Sequence, residues 1–369
     1  MTDRATASIA RGQAAATSES RSGTGSVTGS VTVKDVARRA GVSASTVSNV
    51  LHGRSSVAPD IRTRVEAAIA EVGYVPSAAG RLLRGGRSEI VQLALPDIRS
   101  PYYSALAHTV IRQARALDLV VVIEETAGAG DQERRIAASH PNRGIGGTLI
   151  CPVSLSSEDL AGLHPRTPTV LLGEHTYGDV FDQVLTDSRA AAREVAEHLL
   201  STGRRHLAFV GSQDGPGTAT GPGGLRLEGL RDALREHGLD LAEHGVLRAE
   251  SFDRETGARA GERVADARAA GAEIDAVVCA TDELAVGALH ALRGRGVRVP
   301  DDVAVTGWDD APESRYLSPS LTTVAHDLDD VAATALRLVV TRKADPARPA
   351  SRHVSPHRLV VRESTAPAR

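Results

Sequence analysis

The chain has 369 residues, 41% of them apolar, and a formal net charge of −3, so it can form a small domain plus a core that divides in two. No apolar run approaches the roughly 18 residues of a membrane span, and the N-terminus lacks the apolar stretch of a signal peptide, so we expect a cytoplasmic protein with no membrane partner. The two cysteines, Cys151 and Cys279, each lie in an apolar run and fit no metal-ligand spacing, which predicts buried reduced thiols and no metal or cofactor.

Residues 1–30 are rich in Ser, Thr, Gly and Ala, a composition that predicts a disordered extension. The stretch that follows, VTVKDVARRAGVSASTVSNVL from Val31 to Leu51, predicts two short helices. Thr32 suits the start of the first helix and Ser43 that of the second, and Gly41 takes the turn because it adopts a left-handed backbone at little cost.

The outward positions of the second predicted helix are small or polar. They are Ala44, Ser45, Thr46, Ser48 and Asn49. Such a surface can enter the major groove of DNA and hydrogen-bond to base edges and phosphates. The same spacing also suits an ordinary helical hairpin inside a larger domain, because helix-turn-helix patterns are weakly specific.

A third helix is predicted to begin at Val57-Ala58-Pro59-Asp60, since proline suits the first helical position and aspartate the positive end of the helix dipole. Gly73 ends it. Nine basic and four acidic residues lie between Val31 and Arg87, so a basic head stands before an acidic remainder. This distribution favours phosphate binding.

These residues resemble the LacI/GalR family of bacterial transcription regulators, whose head begins V-x-D-V-A-x-x-A-G-V-S-x-x-T-V-S-x-V-L. The match runs from Val33 to Leu51 and returns at Gly73-Tyr74-Val75-Pro76, and the resemblance extends from about Val31 to Arg362. It implies a helix-turn-helix DNA-binding domain at 31–76. The expected DNA contacts there are Thr32, Lys34, Ser43, Ala44, Ser45, Thr46, Ser48, Asn49 and Tyr74, with Asn49 and Ser45 reading bases and Lys34 or Arg38 touching phosphate.

Residues 77–87 contain one or two turns of potential helix, too short to be stable alone. In the resembled family the matching segment is a hinge helix that orders on operator DNA and inserts a leucine into the minor groove. The resemblance assigns that role to Leu83 and a further DNA contact to Arg84. Gly80 stands where the family has alanine, which costs about 1 kcal/mol in helix propensity. A flexible linker with an incidental leucine is the alternative interpretation.

From Ser88 onward, short apolar strands alternate with amphipathic helices. Strands are predicted at Ile90–Leu95, Leu119–Glu124, Thr148–Pro152, Thr169–Gly173, His206–Gly211, Ala276–Ala280 and Val303–Gly307. Helices are predicted at Ala190–Leu200, Leu225–His237, Glu255–Ala270 and Glu283–Arg293. This alternation predicts an α/β fold of doubly wound parallel sheets, with too many strands for one sheet.

The sequence therefore predicts a core at 88–369 made of two subdomains, with a ligand cleft at the carboxyl ends of their strands. This resembles the periplasmic-binding-protein-like core of the same family. We expect the N-subdomain at about 88–187 and 325–345, and the C-subdomain at about 188–324 and 346–365.

The resemblance also implies which residues line the cleft. Asp97, Tyr102 and Tyr103 match the family element P-D-x-x-N-P-[FY]-[FY], although Ser100 replaces its asparagine and one tyrosine is expected to be core. Arg226 matches an R-x-x-G element whose arginine binds effector hydroxyls or a carboxylate, with a surface arginine as the alternative. Phe252 falls where relatives place an aromatic ring against the ligand.

Two further strand ends match family turns. Thr281 stands in place of asparagine in A-N-D-x-x-A-x-G, where Asp282 is expected to cap a helix rather than contact ligand. Asp309 lies in G-[FY]-D-D and is expected to accept hydrogen bonds from effector hydroxyls, while Trp308 is either a cleft wall or core. Together Arg226, Phe252 and Asp309 indicate a sugar-like effector, because a polyol needs both hydroxyl partners and an apolar ring face.

The sequence thus predicts a repressor that binds a near-palindromic operator as a homodimer and is controlled by a small-molecule effector, a sugar. An enzyme is disfavoured: the loop Gly215–Gly221 is one residue too long for a dinucleotide site, Pro216 removes an N–H, and no Walker A, HExxH or GxSxG pattern occurs. The alternative is a solute-binding or sugar-metabolising protein with an incidental helix-turn-helix, which the basic head and the missing signal peptide disfavour.

Overall fold

The computed structural model describes residues 31–51, 57–74, 88–138, 144–163, 166–174, 177–213, 222–242 and 245–366. The chain divides into two compact units between Ser77 and Ala78. The predictions for residues 1–30 and for the hinge at 77–87, including Gly80, Leu83 and Arg84, lie outside the described residues.

The smaller unit contains the helices α1 (Val33–Ala40), α2 (Ala44–Leu51) and α3 (Pro59–Val72). Their apolar residues recur at helical spacing and meet in one small core. The buried members of that core are Val36, Ala37, Ala40, Val47, Val50, Val65, Ala68 and Tyr74. None of the outward positions predicted for the second helix belongs to this core.

Short polar side chains hold the starts of the first two helices. The Asp35 carboxylate accepts hydrogen bonds from the Thr32 backbone N–H at 3.0 Å and from the Thr32 hydroxyl at 2.7 Å. At the start of α2, the Ser43 hydroxyl oxygen accepts from the backbone N–H of Thr46 at 3.1 Å. Backbone N–H groups at the beginning of a helix have no partner within that helix, so these hydrogen bonds stabilise the N-termini of α1 and α2.

The turn between α1 and α2 is left-handed at Gly41, where φ is 65°. A residue without Cβ adopts this conformation at little cost. The Arg64 guanidinium on α3 donates to the Ala40 carbonyl at 2.6 Å. The third helix is therefore tied to the turn that sets the angle between the other two.

The larger unit contains two sheets flanked by helices. The helices are α4 (Pro101–Arg115), α5 (Gly130–Ala137), α6 (Ser157–Ala161), α7 (Ser188–Ser201), α8 (Pro222–Glu236), α9 (Arg254–Ala269), α10 (Asp282–Gly294) and α11 (Leu328–Ala344), with a 3₁₀ helix at Pro312–Tyr316.

The first sheet has six parallel strands in the order β11-β5-β4-β3-β1-β2. Its strands are β1 (Ile90–Leu95), β2 (Val120–Glu125), β3 (Gly147–Ile150), β4 (Thr169–Gly173), β5 (Asp182–Thr186) and β11 (Arg352–Ser355). In the register, Val91 lies opposite Val121 on one side and Gly147 on the other. The inner strands are buried on both faces, as their continuous apolar runs predict.

The second sheet has six strands in the order β12-β10-β9-β8-β6-β7. Its strands are β6 (Leu207–Ser212), β7 (Val246–Arg248), β8 (Ala276–Cys279), β9 (Ala304–Trp308), β10 (Thr322–His326) and β12 (His357–Val360). All pairs are parallel except β10 with β12. The prediction of two doubly wound parallel sheets is confirmed.

The chain crosses between the sheets after β5, after β10 and between β11 and β12. Helix α11 therefore returns to the first sheet, where Val331, Ala335 and Leu336 join its core. These crossings place the carboxyl ends of both sheets at one cleft inside the larger unit.

Strand β11 corrects the predicted subdomain boundary. Its residues Arg352–Ser355 pair with β5 in the first sheet, whereas the sequence assigned 346–365 to the second subdomain. The segment RHVSPHRLV has no continuous apolar run, and Pro356, which lacks an N–H, separates two short strands that join different sheets. The other subdomain limits stay predictions.

Cys151 and Cys279 are buried free thiols, and burial raises the pKa of each above its ordinary value. Within the described ranges, no helix is both long and apolar enough to span a membrane.

Candidate DNA-binding surface and effector site

Helix α2 presents a row of small polar side chains. Ser43, Ala44 and Ser45 are exposed, and Thr46, Ser48 and Asn49 are half-buried. The Ser43 hydroxyl lies 2.7 Å from that of Ser45 and 2.8 Å from that of Thr46, so these three side chains form one hydrogen-bonded group. The face of α2 that is predicted to contact bases is therefore polar and made of short side chains.

Two of the predicted phosphate contacts differ in how they are engaged. Arg38 forms an ion pair with Asp35 at 2.9 Å, and the Asp35 pKa is lowered, first by its hydrogen bonds from Thr32 and then by Arg38. Lys34 is exposed and makes no ion pair within the described part of the head. Lys34 is thus the better candidate for phosphate.

Tyr74 was predicted to touch DNA, but its side chain is only 7% exposed and packs with the head core. An amphipathic ring at the end of α3 closes the apolar core after Gly73. A DNA contact does not follow from this position, and we assign Tyr74 a packing role.

Arg226 is the centre of the second candidate site. It is 4% exposed, which excludes the surface alternative. Its guanidinium donates to the carbonyl of Ala280, directly after β8, and forms an ion pair with Glu174, directly after β4. The guanidinium carbon also lies 4.2 Å from the centroid of the Trp308 ring. One side chain therefore joins groups from both sheets.

The start of α8 comes very close to the end of β6, and this positions Arg226. A Cβ added at Gly223 would lie 2.3 Å from the carbonyl oxygen of Gly211. Only glycine fits such an approach.

Strand β9 ends at the fully buried Trp308 and is followed by an unusual turn. Asp309 has φ of 106° and Asp310 has φ of 50°, both in the left-handed region that aspartate tolerates better than most residues. The Asp310 carboxylate pairs with Arg362 at 2.5 Å, whereas Asp309 lies 3.6 Å from the His326 ring nitrogen Nε2. Burial raises the pKa of Asp309, and His326 and Arg226 partly oppose that rise.

Aromatic side chains complete the site from the first subdomain. Tyr102 packs edge-on against Tyr103 with ring centroids 5.1 Å apart and against His326 at 5.3 Å. His326 in turn lies 6.3 Å from the Trp308 ring. Burial raises the pKa of both tyrosines well above its ordinary value. The structure thus brings Tyr102, Tyr103, Arg226 and Asp309 together.

Sequence reasoning missed Glu174 and His326. Glu174 directly follows the predicted strand β4, so the rule that residues after strands line the cleft already applied to it. His326 ends β10, which was not predicted because the strand TTVAH begins with two polar threonines that are buried in the fold.

Several buried polar atoms of this cluster have no hydrogen-bond partner among the described residues. They are Glu174 Oε2, Arg226 Nε, Trp308 Nε1 and both ring nitrogens of His326. Buried polar groups in folded proteins are nearly always paired, so unpaired donors and acceptors gathered in one cleft indicate a ligand site. Across the described ranges, no group of three or more His, Cys, Asp or Glu is arranged to hold a metal ion.

The other predicted cleft residues have local roles. Asp97 pairs with Arg99 at 2.8 Å. Phe252 is half-buried against the core of the second sheet. Thr281 caps α10 by accepting from the Leu284 N–H at 3.3 Å. The predicted cap was Asp282, so the cap lies one residue earlier.

Asp282 instead forms a buried structural network. Its carboxylate accepts from the Ala311 N–H, the Ser314 hydroxyl and the Thr323 hydroxyl, each at 2.7 Å. Burial, followed by the nearby Asp309 charge, raises the pKa of Asp282 to about 7 although these hydrogen bonds oppose the rise. Its expected structural rather than ligand-contacting role agrees with these bonds.

A helix-turn-helix unit followed by a two-sheet core with a charged and aromatic cleft defines a ligand-responsive DNA-binding protein. Comparison with known proteins gives the same class. Residues 32–77 match the model of the bacterial regulatory proteins of the lacI family, and residues 196–365 match the periplasmic binding protein-like domain.

Catabolite control protein A of Staphylococcus xylosus is 30% identical over 337 residues, covering 91% of this chain and 99% of the relative. A LacI-family protein from Sanguibacter keddieii has a structure 38% identical in sequence, with a TM-score of 0.68, covering 76% of this chain and 99% of that one. The transcriptional regulator CelR in complex with cellobiose is 29% identical with a TM-score of 0.64, covering 90% and 99% of the two chains. The chain belongs to the lacI family and is a DNA-binding transcriptional regulator, not an enzyme.

Proposed function

We propose that this regulator is a repressor that binds a near-palindromic operator in the cytoplasm as a homodimer, and that a sugar-like effector in the core cleft controls its operator affinity. The observation that supports the proposal is the cluster formed by Glu174, Arg226, Trp308 and His326. It places unpaired buried donors and acceptors beside aromatic rings where the two subdomains meet. A ligand bound there would contact both subdomains, so its affinity would depend on how they are arranged.

On the DNA side, the polar face of α2 supports base reading by the exposed Ser45 and the half-buried Asn49, with Lys34 on phosphate. The other proposed contacts are Thr32, Ser43, Ala44, Thr46 and Ser48, and the hinge residues Leu83 and Arg84 remain proposals from the sequence. One head of this size offers too few base contacts for tight specific binding, so two heads on two half-sites are needed.

A homodimer is supported by the edge strand β2. Unlike the inner strands, it leaves Val120, Val122 and Ile123 exposed at 57%, 44% and 38%, and Leu117 just before it at 49%. A contiguous apolar edge of this kind marks an association surface, because monomers rarely expose one. The same surface on a second copy would cover it by twofold symmetry.

A sugar-like effector fits the chemistry of the cleft. Carboxylates and a guanidinium bind hydroxyls, while the half-buried Tyr102 ring suits the apolar side of a pyranose ring. The cellobiose complex of CelR supports this class of ligand. The proposed contacts are Tyr102, Tyr103, Arg226 and Asp309, with Glu174 and His326 added, and with Asp97, Phe252 and Thr281 at the margin.

Control of DNA binding follows if effector binds one arrangement of the subdomains better than another. The Arg226–Glu174 ion pair spans the two subdomains, so a ligand that bonds to either partner changes the contact between them. In a dimer such a change alters the spacing of the two heads.

The test is selection of bound DNA from a random pool by the purified protein, followed by a sugar panel against the bound operator. We expect one enriched site with two inverted half-sites, released or tightened by a sugar that the protein does not turn over. Failure to enrich any sequence, or an asymmetric single half-site bound by a monomer, contradicts the proposal.

A further inference from the structure

The effector cleft holds two carboxylates and one guanidinium, and the His326 ring lies 3.6 Å from one of the carboxylates. The carboxylates of Glu174 and Asp309 face a single guanidinium, that of Arg226. The Glu174 side chain is 9% exposed and that of Arg226 is 5% exposed, so water screens this pair little. An anionic ligand would therefore meet two carboxylates and one guanidinium whose charge is already compensated.

The terminal nitrogens of the Arg226 guanidinium, which a bound anion would use, already donate to other groups. Carboxylates and phosphates are held best by two parallel N–H groups of one guanidinium fork. In Arg226 one terminal nitrogen donates to the Ala280 carbonyl and the other to Glu174, and Trp308 covers a face of the group. Of the Arg226 nitrogens, Nε is the one without a hydrogen-bond partner among the described residues, and its N–H suits a hydroxyl oxygen.

We propose that Glu174 is a specificity residue of the effector site: by neutralising Arg226 from the opposite subdomain, it reserves the cleft for uncharged or amine-bearing polyhydroxylated ligands and excludes carboxylates and phosphates. The inference rests on the proposed effector-controlled function and narrows the class of effector.

The unpaired atoms agree with such a ligand. Arg226 Nε and Trp308 Nε1 are donors, Glu174 Oε2 is an acceptor, and a neutral His326 ring offers one of each. A hydroxyl both donates and accepts, so a polyol can satisfy all of them. A carboxylate only accepts at neutral pH. A carboxylate or phosphate bound to Arg226 would leave Glu174 as a buried carboxylate without its partner.

The ion that Glu174 keeps out is also the probe that tests its role. Thermal unfolding of the purified full-length protein is followed in rising sodium formate, with sodium chloride at matched ionic strength as reference. We expect formate to leave the melting temperature of the wild type unchanged. In Glu174→Ala and Glu174→Ser the melting temperature falls by several degrees, and formate restores it in a saturable way by taking the vacated place beside Arg226.

Two controls make this specific. In the double variant Glu174→Ala with Arg226→Met, formate no longer has a saturable effect. Glu236→Ala breaks the ion pair of Glu236 with Arg193, which is more exposed than Arg226. In that variant, formate changes the melting temperature no more than chloride does.

If Glu174→Ala does not fold alone, the yield of refolding with and without formate provides the same readout. Saturable formate stabilisation of the wild type, or none in either Glu174 variant by melting or refolding, overturns the inference. The formate readout involves no DNA. If the protein selects no operator, the proposed function is wrong whatever the formate result is. If it selects an operator but gives the contrary formate result, only the role of Glu174 is wrong.

Discussion

Replacing Asp309 by asparagine removes a charge from the effector site while keeping the shape of the side chain. The choice follows from the backbone: φ is 106° at this position, where asparagine is tolerated and alanine would add strain of about 1 kcal/mol or more. A hydrogen bond to a charged group contributes about 1.5–3 kcal/mol. The variant should therefore bind effector roughly 10- to 100-fold more weakly.

The operator affinity of Asp309→Asn without effector should stay at the wild-type value, because Asp309 lies in the effector cleft rather than in the head. The assay is fluorescence anisotropy of labelled operator titrated with protein, with and without the effector that the sugar panel identifies. Asp310→Asn is the matched control, since that neighbouring carboxylate bonds to Arg362, and it should respond to effector normally. A full response of Asp309→Asn at wild-type effector concentrations would refute the placement of the site.

Four further substitutions test other parts of the molecule. Asn49→Ala should weaken operator binding by about 1–3 kcal/mol and broaden base preference, whereas Lys34→Ala should weaken all sequences alike and lower the salt slope by about 1; an unchanged preference in Asn49→Ala contradicts its reading role. Burial raises the pKa of Asp282 to about 7, so the native state binds a proton more readily than the unfolded chain, and stability present at low pH is lost as pH rises through that value. Asp282→Asn should reduce the difference between the free energies of unfolding at about pH 5 and about pH 8 by a few kcal/mol, as measured by chemical denaturation. An equal difference in the variant and the wild type counts against this role of Asp282. Val122→Lys should convert dimers to monomers in light scattering with effector affinity intact, and a persistent dimer would exclude the β2 edge as the contact.

Much of the fold is local in origin, and those parts could be predicted from the sequence. The head helices follow from apolar spacing, a turn at Gly41 and caps at Thr32 and Ser43, all within a few residues. The predicted strands β1, β3, β4, β6, β8 and β9 are largely apolar runs that only a parallel sheet covered on both faces can bury, whereas the inner strand β5, DQVLT, is not such a run. Helix ends could be predicted to within a few residues, as α9 and α10 show.

Strands β5 and β7 were not predicted, and strands β10, β11 and β12 could not be, because the burial of these three depends on partners far away in the chain. The threonines of β10 are buried beside β9, where their hydroxyls find partners such as Asp282. No local pattern shows that Pro356 separates strands of different sheets.

The site shows the same limit. Arg226 and Asp309 could be identified from local motifs, but the Arg226–Glu174 ion pair depends on how the two subdomains meet. Glu174 itself was within reach of the sequence, since it directly follows the predicted strand β4. Tyr74 packs in the head core, and an aromatic residue beside a DNA-binding motif has the same local pattern whether it only packs inward or also contacts DNA, so its DNA contact stays a prediction.

Thermodynamic linkage measures the coupling between the effector cleft and the operator. Operator affinity is measured with and without saturating effector, and effector affinity with and without saturating operator, by anisotropy and calorimetry on the same wild-type protein. Thermodynamic reciprocity requires the two ratios to be equal. We predict equal factors of roughly 5–150, the usual range of allosteric coupling. An effector that binds the cleft tightly while leaving operator affinity unchanged would contradict the account.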